Sequence, residues 1–206
     1  MFVQVDYEET GMFDQIITEC TIFNPTLERA FKVAPKEFVS AYQWFIDHEN
    51  SEIDKLPHRL EKGFTVGGIP ISRDSGIYSP SKSKVSYGLK QYALSVHTSN
   101  GNGLYEDGEP IYYSDGTWSI EYSEHIKTQG NQVQSKLYNA LLMNCLNDGL
   151  PIGLFIKDKN KKYKVMGLAF VERYNSATGM FTLHGPVNAK TVNNSSLISA
   201  GFDELK

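Results

Sequence analysis

"YKVMGLAFVERYNSATGMFTLHG", residues 163–185, sets two runs of β-branched, aromatic and aliphatic residues on either side of a polar "NSAT". Runs of this texture, bounded by Gly, Asn and Ser, read as strands. Further short runs of the same kind lie upstream: "PIGLFIK" (151–157), "GTWSIEY" (116–122), "YALSVHT" (92–98) and "GFTVGGIP" (63–70). One helix interrupts them, "VQSKLYNALLMNCLND" (133–148), with Gly149 and then Pro151 as its stop signal. Many short strands with few helices favour a small, strongly curved sheet or barrel over a parallel doubly wound one.

Before Gly63 the texture is helical. In "NPTLERAFKVAPKEFVSAYQWFIDHEN", Asn24 suits an N-cap and Pro25 the first helical position, while Pro35 divides the segment into two helices. Phe38, Ala41, Tyr42 and Phe45 then fall on one face of the second, which reads as core. The expectation is an α+β chain: a helical segment over 1–62, a curved β-barrel over 63–190, and a tail or linker over 191–206.

The apolar runs fall well short of the roughly 20 residues that cross a bilayer. The start, "MFVQVDYEETG", has neither the basic nor the apolar region of a signal peptide. Cys20 and Cys145, without ligand spacing, read as reduced and buried thiols. A cytoplasmic protein is expected. The net charge of −4 is uneven: residues 1–62 carry 12 acidic and 6 basic side chains, and residues 63–206 carry 12 and 14. The second part therefore permits anion binding.

No phosphate loop, HExxH, GxSxG or paired Cys/His cluster occurs, and His48, His58, His97, His125 and His184 are scattered without ligand spacing. No metal or cofactor is expected. The chemistry is concentrated in "LYEDGEPIYYSDGTWSIEY" (104–122), with four tyrosines, one tryptophan and five carboxylates in nineteen positions. Alternating tyrosines can be cross-strand pairs on a hairpin, and acids beside Gly can cap its turn. The same inventory also suits a pocket for a planar, hydrogen-bonding ligand. Asp107, Asp115 and His125 could equally act as acid–base groups on a nucleobase or small metabolite.

Six short motifs, read in order, resemble the SRA (YDG) domain, a PUA-like reader of modified cytosine. They are "GIYSP" (76–80), "YALSVHTSNGNGLYEDGE" (92–109), "DGTWSIEY" (115–122), "NALLMNC" (139–145), "GLPIGLFIK" (149–157) and "YKVMGLAFVERYNSATGMFTL" (163–183). The same set is similar to recognition domains found ahead of HNH nuclease domains in bacterial restriction enzymes. The resemblance spans about residues 64–187. It implies an SRA/PUA-like barrel that flips a 5-methyl or 5-hydroxymethyl cytosine out of duplex DNA, as the targeting part of a modification-dependent restriction system.

Carried over, the resemblance makes Tyr105 and Tyr122 the stacking rings. Asp107 or Asp115 becomes the acid on the base edge, with Trp118 beside them. Extrusion costs a few kcal/mol, which stacking at about 1–3 kcal/mol per base can offset. Arg73, Lys82, Lys84 and Lys90 are the expected backbone contacts. "KDKNKKYK" (157–164) is the other basic run, with solubility as its alternative role. The expected partners are double-stranded DNA with modified cytosine and a nuclease on a C-terminal domain or separate chain. A homodimer stays open, and no membrane is involved. A PUA-like RNA- or modified-nucleotide-binding module is the alternative from a different binding class.

Overall fold

The structure is a computed structural model, and it describes residues 27–99, 107–125 and 132–187. Two helices, α1 (Leu27–Val33) and α2 (Lys36–Asp47), flank Pro35, as the sequence predicts. Proline disfavours helical backbone in the residue before it, so α1 stops short and Pro35 itself serves as the N-cap of α2. Strand β1 (Glu52–Ile53) and the short α3 (Pro57–Leu60) follow. The remaining elements are β2 (Ile77–Tyr78), β3 (Ser95–His97), β4 (Ile111–Tyr112), β5 (Trp118–Ser123), α4 (Gln132–Asp148), β6 (Ile152–Lys157), β7 (Tyr163–Asn175) and β8 (Met180–Gly185).

The strands form one mixed sheet in the order β2-β3-β6-β7-β8-β5-β4, with β1 added alongside β7. β3 runs parallel to β6, and the other pairings are antiparallel. This corrects the expected curved barrel: the fold is α+β, but the sheet is open. Its two ends, β2 and β4, are two residues long and do not pair with each other. A ladder that short offers too few N–H and C=O groups to close the sheet. Helices cover its faces instead. "GFTVGGIP" is likewise no strand but a tight turn, in which Val66 bridges Ile69 across Gly67 and Gly68, both at positive φ.

β7 organises the sheet. Its first half pairs with β6 and β1, and its second half pairs with β8. Gly167, at φ +85, stands opposite the register shift between Leu154 and Phe155, which is the geometry of a glycine bulge. Side chains alternate across the sheet from there. Phe155, Val165 and Leu168 pack with Phe38, Ala41, Tyr42 and Phe45 of α2. Leu154 and Met166 face Leu142 and Cys145 of α4, together with Trp118, Ile120 and Tyr122. The α2 face predicted as core is fully buried. Phe45 lies so close to β6 that a Cβ on Gly153 would fall 2.0 Å from its ring. Helix α2 therefore shares a core with the strands that follow it. Residues 1–26, with Asn24, Pro25 and Cys20, and the tail over 191–206 lie outside the described residues.

Candidate functional site

A cavity of about 340 Å³ opens where the C-terminal ends of β3, β5 and β6 come together beside the Asp74–Ile77 approach to β2. The parallel register brings the first and last of these strands side by side: His97 pairs with Phe155, and the Thr98 N–H donates to the Phe155 carbonyl at 3.0 Å. Thr98 Oγ1 in turn accepts the Lys157 N–H at 3.0 Å. His97, Thr98 and Lys157 thus reach the cavity from strands distant in sequence.

Asp107 holds the opposite wall. The Ser99 N–H donates to one carboxylate oxygen at 2.8 Å, with the Ser99 hydroxyl at 3.3 Å from the same atom. The Ser123 N–H donates to the other oxygen at 3.0 Å. One side chain therefore ties the end of β3 to the end of β5. Gly108 continues that junction, its N–H donating to the Glu121 carbonyl at 2.7 Å.

Tyr122 is 4% exposed and lines the cavity from the core side. Its hydroxyl crowds Gly76: a Cβ there would be 3.2 Å away, and Gly76 itself has φ +23. His97 completes this side. A carbonyl can only accept, so the contact of His97 Nδ1 with the Thr98 carbonyl at 3.3 Å places the proton on Nδ1. Burial holds the His97 pKa below the ordinary histidine value, against the opposing pull of the Thr98 and Asp74 backbone. The ring is then neutral, and its Nε2 is buried without a hydrogen-bond partner among the described residues.

At the rim, Asp74 receives Arg59 Nε at 2.7 Å and His58 Nε2 at 3.1 Å. The Arg59 hydrogen bond leads in holding its carboxyl below the usual range. His58 Nδ1 lies 3.0 Å from Ser72 Oγ, so serine, histidine and aspartate stand in line. Ser72 is only 1% exposed, however, and cannot meet a substrate as a nucleophile.

The other expected site residues fall elsewhere. Asp115 caps the turn between β4 and β5, accepting the Thr117 N–H at 2.9 Å and its hydroxyl at 2.7 Å. Those two bonds hold its carboxyl below the usual range. Trp118 is buried core, and a Cβ on Gly185 would meet its ring at 2.6 Å. His125 does line the cavity, with its ring against Tyr138. Tyr105 lies outside the described residues. Arg73 is exposed beside Tyr78. Lys82 and Lys84 are exposed in a turn between Ser81 and Val85 and do not line the cavity. Lys90 is held by Asp148, with its Nζ at 2.9 and 3.0 Å from the two oxygens.

Sequence reasoning passed over His97 as one of five scattered histidines and gave Lys157 the lesser role. Each ends an apolar run, in "YALSVH" and "PIGLFIK", and a polar residue at that position is the signal that could have marked them. Among the described residues, no group of three or more His, Cys, Asp or Glu could hold a metal ion. No described helix is long and apolar enough to cross a membrane. Cys145 is buried, as expected, and donates to the Ala93 carbonyl; burial holds its thiol far above the usual range. No protein-family model, curated protein or solved structure matches the chain.

Proposed function

We propose that this chain binds double-stranded DNA in the cytoplasm and reads a modified cytosine, 5-methyl or 5-hydroxymethyl, extruded from the stack into the cavity. It would target a modification-dependent restriction system, with the cut made by a nuclease on a further domain or a separate chain. The observation that carries this reading is the lining of one cavity of about 340 Å³, where Tyr122, Asp107 and His97 meet. That volume lies at the small end of ligand pockets.

Tyr122 is the tyrosine of the lining, packed in the core at 4% exposure, so stacking on it, worth about 1–3 kcal/mol per base, requires its ring to turn toward the cavity. A carboxylate has about four lone-pair sites. The bonds from Ser99 and Ser123 occupy up to three at Asp107, leaving one for an amino donor. A cytosine presents such a donor at N4. The open sheet removes the barrel from the support, so the reading depends on the cavity and on the ordered motifs.

Competition among duplexes that differ only at one cytosine C5, with an RNA of the same sequence, tests it. The modified duplex is expected to win, by a margin of about 1–3 kcal/mol for an added apolar group. Equal affinity for plain and modified duplexes contradicts base reading. Preference for the RNA favours the RNA-binding alternative.

A further inference from the structure

We infer that the β6–β7 hairpin, residues 157–164, is the surface that grips the phosphate backbone of a nucleic acid, in place of the loop over 82–90. This deepens the base-reading assignment and rests on it for the identity of the partner.

The hairpin carries five lysines and one aspartate in eight residues. The aspartate is taken up by its own turn: Asp158 accepts the Lys162 N–H at 2.7 Å and the Asn160 amide at 3.5 Å. The turn closes through the Asp158 N–H to the Lys162 carbonyl at 2.8 Å and the Lys161 N–H to the Asp158 carbonyl at 3.1 Å. That leaves Lys159, Asn160 and Lys161 at an exposed tip. Lys159 and Lys161 make no ion pair with a described residue, whereas Lys162 reaches Asp54 at 3.5 Å.

Lys161 stands at φ +67, in the left-handed region. A three-residue hairpin turn usually has glycine or asparagine there, because a Cβ is strained. A lysine at this position keeps a positive charge where a neutral residue would fold more easily. The hairpin also leads directly to the cavity, because Lys157, its first residue, is part of the lining. The rival loop has neither property. Lys90 is neutralised by Asp148, and Lys82 and Lys84 stay off the lining.

Neutralising phosphates releases counterions, so log affinity falls against log salt with a slope of about 0.9 per contact on duplex DNA. The test measures this slope for wild type, Lys159→Gln/Lys161→Asn and Lys82→Gln/Lys84→Gln. Each is titrated with two fluorescein-labelled duplexes that differ only by one 5-methyl group on cytosine. Asparagine at 161 suits the left-handed backbone, and thermal unfolding of each variant reports an intact fold. The expected result is a slope smaller by about 1.8 for the first variant on both duplexes, with the preference between them unchanged. The second variant should keep the wild-type slope.

An unchanged slope for Lys159→Gln/Lys161→Asn, or a loss confined to Lys82→Gln/Lys84→Gln, overturns the assignment while leaving base reading intact. Equal affinity for the two duplexes with the expected slope change sinks base reading and leaves the hairpin as a general phosphate grip. Failure of wild type to bind either duplex overturns both.

Discussion

Asp107 and Asp115 come from one acidic, tyrosine-rich stretch and occupy opposite ends of the β4–β5 hairpin. Asp107 joins two strands at a cavity through the Ser99 and Ser123 N–H groups. Among the described residues, Asp115 bonds to Thr117, two residues away, and shapes its own turn. The tyrosines divide in the same way: Tyr122 is buried against the cavity, while Tyr112 at the far end is 59% exposed. Residue type and local sequence are alike at the two ends. What separates them is the sequence distance of the groups they hold, and a site needs the distant kind.

The largest effect expected from breaking this comparison is at Asp107. Asp107→Ala leaves two backbone N–H groups without their acceptor, and each loses about 1–3 kcal/mol. Chemical denaturation should show that loss, together with loss of DNA binding. Asp115→Ala should lower stability less and leave binding in place. A larger loss at Asp115 than at Asp107 contradicts the division.

Gly76→Ala comes next. It places a Cβ 3.2 Å from the Tyr122 hydroxyl at φ +23. Left-handed backbone costs a residue with a Cβ about 1–2 kcal/mol. Thermal unfolding checks the size, and a tolerated alanine there means that the Tyr122 hydroxyl is free to move.

How much of this was legible in the chain follows the same line between local and distant order. Strands β5 to β8 and helix α4 appear where "GTWSIEY", "PIGLFIK", "YKVMGLAFVERY", "GMFTLHG" and "VQSKLYNALLMNCLND" place them, because period and end signals act within each segment. "GFTVGGIP" misleads because β-branched residues flank a two-glycine turn, so its composition resembles a strand. Closure into a barrel was not legible at all. It depends on how many hydrogen bonds the two end strands can offer, and each has only two residues. At the site, Asp107 and Tyr122 were reached through the ordered motifs. His97 and Lys157 were not, because only the parallel pairing of β3 with β6 brings them together.

The smallest expected effects are in pH dependence, where two histidines sharpen the contrast with opposite signs. His97, at the cavity, has its pKa lowered by burial. The unfolded chain takes up a proton there first, so stability falls as pH drops below the ordinary histidine value. His97→Gln should flatten that acid limb of the unfolding midpoint. His184 lies against Tyr113 near the far end of the hairpin, and its pKa is raised chiefly by the Glu172 carboxylate, 3.6 Å from its Nδ1. Its contribution is fully present below the ordinary histidine value and disappears as pH rises through the raised one. His184→Gln should flatten that limb instead. Identical pH profiles for the two variants contradict the assignment.

Emission from a fluorescent cytosine analogue at the target position of a duplex tests most directly whether the cavity end of the hairpin takes a base out of the stack. Unstacking on binding should raise emission with wild-type chain. Tyr122→Leu, with thermal unfolding confirming an intact fold, should weaken binding by about 1–3 kcal/mol and reduce the rise, whereas Tyr112→Leu should match wild type. Flat emission while the duplex is demonstrably bound by wild-type chain would contradict the account.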